Sequence, residues 1–307
     1  MILRKSVLIF GFLFLSMGAA SLAHADFEKG LEAYNSGDYQ TALREWLIDA
    51  NQGDSAAQNN VAAMYAFGLG VSINYAEAAY WYRLAANQGN ADAQQALGWH
   101  YINGEGVPQD YAEAAYWYRL AANQGHVGAQ YALALIYIHG EGVPQDYAEA
   151  MRWFRRASDQ GYAAAQYDLG IMYANGEGVL ENDAEAVKWY RLAADQRLAK
   201  AQFNLGGMYN NGEGVPQDYA EAMRWFRRAA DQGYAAAQYD LGVMYANGEG
   251  VPENDVLAYM WFNLAAARGG KGASEAKETK EVLSQKMTAA QISEAQRLST
   301  EWLEEHQ

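Results

Sequence analysis

The chain has 307 residues and no cysteine, with 22 Lys and Arg against 37 Asp and Glu, a formal charge of −15. That length exceeds one usual compact core, so it implies either two domains or one repetitive array. The lack of cysteine excludes disulfides, thiolate metal sites and a cysteine nucleophile, and the negative field repels polyanions, so nucleic acid is not an expected partner.

Residues 1–25 read as a signal peptide. Arg4 and Lys5 precede an apolar run from Val7 to Met17, and the small-residue site Ala23-His24-Ala25 follows. The run falls short of the roughly 20 residues that a permanent membrane helix takes, and no later stretch is apolar enough to span a bilayer. A periplasmic or secreted protein is therefore expected, with no stable membrane insertion after signal removal. Loss of Arg4 and Lys5 leaves 20 basic residues against 37 acidic ones, a charge of −17. Much of that acidity stands where helices begin, as in Asp110 with Glu113, where it favours the positive end of the helix dipole.

Residues 26–56 form the next expected element, an N-terminal helix pair marked by Gly30, Ala33, Tyr34, Gly37, Asp38, Tyr39, Ala42 and Trp46. Six full units follow, over 57–272. Trp81, Trp117, Trp153, Trp189, Trp225 and Trp261 recur every 36 residues, and an Ala-Gln pair keeps the same step from Ala57-Gln58 to Ala237-Gln238. Within the unit that begins at Ala165, the residues Ala165, Leu169, Met172, Tyr173 and Gly176 fall on one face of a first helix, helix A. Ala186, Trp189, Tyr190 and Ala193 fall on one face of a second, helix B. Gly176-Glu177-Gly178-Val179 supplies the reversal between them.

Helix B is expected to open with a capping box, because Asp110, Asp146 and Asp218 each stand three residues before a glutamate. Gly89, Gly125, Gly161, Gly233 and Gly269 suit its left-handed C-cap, where Arg197 is the exception. Pro108, Pro144, Pro216 and Pro252 all fall in the loop. Residues 273–307 read as a C-terminal helical cap, with Thr288 to Gln291 opening a helix that carries Ile292, Ala295, Leu298 and Trp302 on one side.

These residues carry a resemblance. The pattern Ala-Gln-x-x-Leu-Gly-x-Met-Tyr-x-Asn-Gly-Glu-Gly-Val, followed by the Asp-x-x-Glu-Ala-x-x-Trp element, resembles the Sel1-like repeat, a relative of the tetratricopeptide repeat. Phe27 to Asn51 resembles a tetratricopeptide-like opening pair, one residue short because Trp46 precedes Trp81 by 35. The resemblance implies an all-α fold, a right-handed α/α superhelical solenoid in which neighbouring pairs share one core. It also implies a scaffold rather than an enzyme.

The inventory for chemistry is thin. His100, His126, His139 and His306 lack partners at the spacing of a helical metal site, so no metal and no cofactor is expected. Gly104-Glu105-Gly106 follows a helix and lacks the Lys-Ser/Thr ending of a phosphate loop, so it reads as a turn. Ser274-Glu275-Ala276-Lys277 matches the Ser-x-x-Lys element of penicillin-interacting enzymes, but neither companion motif occurs. Some cysteine-rich relatives have been described as acting on penicillins. An envelope enzyme or binder acting on peptidoglycan or β-lactams is therefore the alternative reading.

The third, seventh and tenth residues of each unit lie opposite the core face of helix A and vary between units. They are Gln95, Trp99 and Ile102; Tyr131, Leu135 and Ile138; Tyr167, Ile171 and Ala174; Phe203, Gly207 and Asn210; Tyr239, Val243 and Ala246. In a solenoid of this handedness helix A lines the concave side. An aromatic and aliphatic surface of that extent fits a protein or peptide partner. Asn175, Asn211 and Asn247, at the end of helix A, read either as donors to a peptide backbone or as turn residues.

Overall fold

The computed structural model describes residues 24–269 and 272–306. All regular structure among them is α-helical. The chain opens with α1 (His24–Asn35) and α2 (Tyr39–Asn51), continues with α3 (Ser55–Phe67), α4 (Tyr75–Asn87), α5 (Ala91–Asn103), α6 (Tyr111–Asn123), α7 (Val127–His139), α8 (Tyr147–Asp159), α9 (Ala163–Asn175), α10 (Asp183–Asp195), α11 (Ala199–Asn211), α12 (Tyr219–Asp231), α13 (Ala235–Asn247) and α14 (Asp255–Arg268), and closes with α15 (Ala273–Ser284) and α16 (Ala289–Glu305). From α3 to α14 the odd-numbered helices are helix A and the even-numbered are helix B, stacked as a solenoid of helix pairs. The signal segment expected over residues 1–25 lies outside the described residues, apart from residues 24 and 25, which begin α1.

Two compact units divide the chain, one up to Ala157 and one from Ser158. In unit 1 the core consists of Val61, Leu97 and Leu133 from helices A with Trp81, Trp117 and Trp153 from helices B, all buried. Unit 2 repeats it with Leu169, Leu205, Leu241, Trp225 and Trp261. It ends on α15 and α16, where Trp302 meets Trp261 edge-on at 5.9 Å and Ala276, Leu283 and Ala295 are buried.

The repeated Ala-Gln pair has a structural reason. The buried glutamine donates to the end of the preceding helix B, Gln94 Nε2 to the Ala86 carbonyl and Gln202 Nε2 to the Ala194 carbonyl, each at 3.0 Å. Its own oxygen accepts from the glutamine that ends helix B of its repeat, Gln124 to Gln94 at 2.8 Å and Gln232 to Gln202 at 2.7 Å. A carbonyl left over at a helix end and a buried amide thereby satisfy each other. The series stops at Gln238, whose Oε1 is buried without a partner, because the residue thirty positions on is Arg268 rather than glutamine.

Loop geometry explains two further periodic choices. The first glycine of each A–B loop ends helix A in the left-handed region, as at Gly104 with φ 68°. The second touches the helix B before it: a Cβ on Gly106 would stand 1.9 Å from the Tyr75 carbonyl oxygen. Helix B then starts on an Asp or Asn cap, with Asp110 Oδ1 accepting from the Ala112 and Glu113 amides. The expected reciprocal half of the box does not form there. The cap's own N–H is already taken by helix A, since Asp110, Asp146 and Asp218 donate to the carbonyls of Tyr101, Tyr137 and Tyr209 at 3.0, 3.0 and 2.9 Å. The glutamates Glu149 and Glu221 pair instead with Arg152 and Arg224. Thr288 with Gln291 at the start of α16 does form a complete box.

Candidate ligand-binding face

The residue that follows the Ala-Gln pair in helix A is aromatic in four repeats. Each ring packs on the aromatic residue that follows the repeated tryptophan in its own helix B: Tyr131 on Phe154 at 5.6 Å, Tyr167 on Tyr190 at 5.8 Å, Phe203 on Phe226 at 5.6 Å and Tyr239 on Phe262 at 5.6 Å. The helix-B rings in unit 2 sit in notches left by glycine, because a Cβ on Gly170, Gly206 or Gly242 would come within 2.5, 2.7 and 2.5 Å of them. A ring that looks free on a helical wheel is therefore held on one side by helix B and open on the other.

That geometry fixes the exposure of the sequence-selected residues. Trp99, Tyr131 and Leu135 in unit 1, and Tyr167, Ile171, Phe203, Asn210, Tyr239 and Val243 in unit 2, are all half-buried. Ile102 departs from expectation and is buried. The A–B loop folds back over the end of α5, with the Gln109 amide donating to the Ile102 carbonyl at 2.6 Å. Gly207 stands in open space, since a Cβ built there meets no heavy atom within 4 Å. Asn175, Asn211 and Asn247 are turn residues. Their amides donate to Glu177, Glu213 and Glu249 of the following loop at 3.2, 3.1 and 3.2 Å.

Sequence reasoning missed the second residue after the Ala-Gln pair in helix A. In unit 2 it is Asp168, Asn204 or Asp240, each half-buried. The Asn204 side chain lies close enough to the hydroxyls of Tyr167 and Tyr190 to lower their pKa against the effect of burial, so at Asn204 this position faces the preceding repeat. Burial, followed by the neighbouring Tyr190, pushes the Tyr167 hydroxyl up to about 12. Also missed were the residues just before helix A: Tyr234 packs on Phe203 at 5.2 Å and extends the same aromatic surface. The shared 36-residue step was the available signal for both.

The histidines serve packing and capping. His100 is buried, with Nδ1 2.8 Å from the Glu105 carbonyl. His126 Nδ1 accepts from the Ala129 amide at 3.1 Å, and its Nε2 lies 3.4 Å from Asp92. His306 stacks on Trp302 at 4.1 Å, and His139 is exposed. Among the described residues no three His, Asp or Glu gather as a metal group. Ser274 and Lys277 are both exposed in the first turns of α15.

The profile of the Sel1 repeat matches six consecutive stretches, 55–90, 91–126, 127–162, 163–198, 199–234 and 235–270, which together cover most of the chain. The chain belongs to the Sel1 repeat family. Among solved structures it is similar to a Sel1 repeat protein from Oxalobacter formigenes, with 34% identity and a TM-score of 0.69 over 78% of this chain and 96% of that one. It is also similar to c5321, a protective antigen present in uropathogenic Escherichia coli strains, with 28% identity and a TM-score of 0.40 over 92% of this chain and 84% of that one. No functionally curated protein matches the chain. The Sel1 repeat is a scaffold fold that typically mediates protein interactions, and no helix among the described residues is long and apolar enough to cross a membrane.

Proposed function

We propose that this Sel1 repeat protein is an exported, non-catalytic scaffold that binds a protein or extended peptide on its helix-A surfaces. The observation that carries this reading is the placement of half-exposed aromatic and aliphatic side chains at equivalent positions of helix A. Each unit presents its own strip, Trp99, Tyr131 and Leu135 in one and Tyr167, Ile171, Phe203, Tyr239 and Val243 in the other. Such rings combine a large apolar contact with little conformational freedom to lose. Most charges stand instead on helices B and in the loops, where Arg152, Lys188 and Arg224 pair with carboxylates of their own helix. Export rests on the leader pattern of residues 1–25.

Cell fractionation tests the export half, which requires a mature chain starting near Asp26 outside the cytoplasm. Pull-down from the envelope tests the binding half. Replacing Tyr131, Tyr167 and Tyr239 by alanine should abolish capture, and undiminished capture by a folded variant would refute the assignment of the face.

A further inference from the structure

From α5 to α13 every helix A ends on a residue followed by a left-handed glycine, and in four of the five that residue is asparagine. The pairs are Asn103-Gly104, Asn175-Gly176, Asn211-Gly212 and Asn247-Gly248, with glycine φ of 68°, 70°, 74° and 72°. The fifth joint, His139-Gly140, makes the same turn with φ 68°. The positive φ calls for glycine. That choice also makes the asparagine chemically fragile, because a glycine has no side chain to keep its own backbone nitrogen from reaching the asparagine side chain.

The folded joint blocks this approach on three counts. The glycine N–H is donated back along helix A, Gly104 to the His100 carbonyl and Gly212 to the Met208 carbonyl at 2.9 Å, and Gly176 and Gly248 to those of Met172 and Met244. Ring closure needs the asparagine ψ turned well away from its helical value, and each of these asparagines is the last residue of its helix. The side chains are held as well: the Asn103 amide donates to the Trp99 carbonyl at 2.9 Å, and the other three donate to the loop glutamates.

We infer that the four Asn-Gly joints are deamidation sites, which the folded helix end keeps closed and which open when helix A unwinds. In the open chain the glycine amide gives its proton to hydroxide, and its nitrogen attacks the asparagine side-chain carbonyl carbon. The new C–N bond closes a five-membered succinimide while the bond to the side-chain nitrogen breaks, and that nitrogen takes a proton from water and leaves as ammonia. Water then opens the ring at either carbonyl, to aspartate or to isoaspartate. Isoaspartate routes the main chain through an extra methylene where helix A must reverse, and either product adds a negative charge, close to Glu177, Glu213 or Glu249 at three of the joints. A chain that has stayed unfolded is thereby barred from rebuilding these joints, whatever helix A binds.

The test incubates the full chain in mildly alkaline buffer, folded or in urea above its unfolding midpoint, and follows each asparagine by peptide mapping with isoaspartyl methyltransferase labelling. In urea all four sites should convert at least tenfold faster than in the folded chain. Asn87 and Asn123, which end helices B before a glutamine, should stay well behind them. The variant combining Asn103→His, Asn175→His, Asn211→His and Asn247→His copies the joint at His139. It should keep its helicity, form no isoaspartate there, and refold in full after an incubation in urea that costs the wild type its refolding yield. Equal rates in the folded and unfolded wild type would overturn the closed joint, and no conversion at these sites in urea would overturn the sites. Equal refolding losses in wild type and variant would overturn the barrier to refolding.

Discussion

Helix A begins differently in the two units. In unit 1 it starts on Asp54, Asn90 or His126, and each side chain accepts the amide three residues on. In unit 2 the same place holds Tyr162, Leu198 or Tyr234, with no side-chain cap. The backbone barely notices: φ and ψ are −63° and 113° at Asn90 and −73° and 104° at Tyr234. The extended conformation at this joint is thus set by the repeat and can be held by either of two interactions. A cap bond contributes about 1 kcal/mol, and an aromatic contact such as Tyr234 on Phe203 about 0.5–1.5 kcal/mol. At Tyr234, unit 2 has taken the option that also enlarges its aromatic face.

The two units should nevertheless share one core logic, and the strongest test of that is large. Trp117→Ala in unit 1 and Trp225→Ala in unit 2 remove equivalent buried indoles, and each should cost about 3–5 kcal/mol in urea unfolding. A large loss from only one of them would break the equivalence.

Acid should separate the units next. Unit 1 places His100 at a core position where unit 2 has Met172, Met208 and Met244. Burial holds the imidazole below its ordinary 6.5, partly opposed by the bond to the Glu105 carbonyl. The unfolded chain therefore takes up the proton first, so stability is complete above about pH 6.5 and declines as the pH falls from there toward the folded-state value, by about 1.4 kcal/mol for each unit of depression. The Glu105 carboxyl, raised by burial, titrates in the opposite sense, gaining stability on acidification. Subtracting the His100→Met profile isolates the histidine. Thermal midpoints of wild type and His100→Met that run parallel from pH 7 to 5 would remove this distinction between the units.

Smaller effects sharpen the cap comparison. Asn90→Ala should lower stability by about 1 kcal/mol, whereas Leu198→Asn should change it less, because a gained cap offsets lost apolar contact. Arg197 is the single non-glycine residue with positive φ among the described residues, at 66°. Arg197→Gly should raise stability by up to about 1 kcal/mol, the left-handed penalty less the extra freedom of glycine in the unfolded chain. Chemical denaturation measures each of these, and a loss on Arg197→Gly would mean that the arginine side chain contributes more than its backbone strain costs.

The fold was legible because a 36-residue recurrence of Trp and Ala-Gln reports stacking directly, and Arg197 was visible as an exception for the same reason. The face was legible in part. Helical spacing identifies Tyr167 or Phe203 as turned away from the leucine core, but not that Tyr190 or Phe226 reaches across to meet it. Ile102 was misplaced, since the helical wheel groups it with Gln95 and Trp99, which are half-buried, whereas its own side chain is buried. The capping box failed at Asp110 because Tyr101, nine residues earlier, already occupies the amide that Glu113 was expected to reach. Competition from a carbonyl on the preceding helix is invisible to a local motif.

The central claim is that the helix-A face, and not the outer surface of helix B, holds the ligand. The most direct measurement selects peptides on the wild-type chain and compares their affinity for two helical variants by calorimetry. One carries Tyr167→Ala, Phe203→Ala and Tyr239→Ala, and the other carries Tyr80→Ala and Tyr116→Ala, which remove exposed rings from helix B. The account predicts at least a tenfold loss in the first and no change in the second. The opposite result, with binding kept by the first and lost by the second, would contradict it.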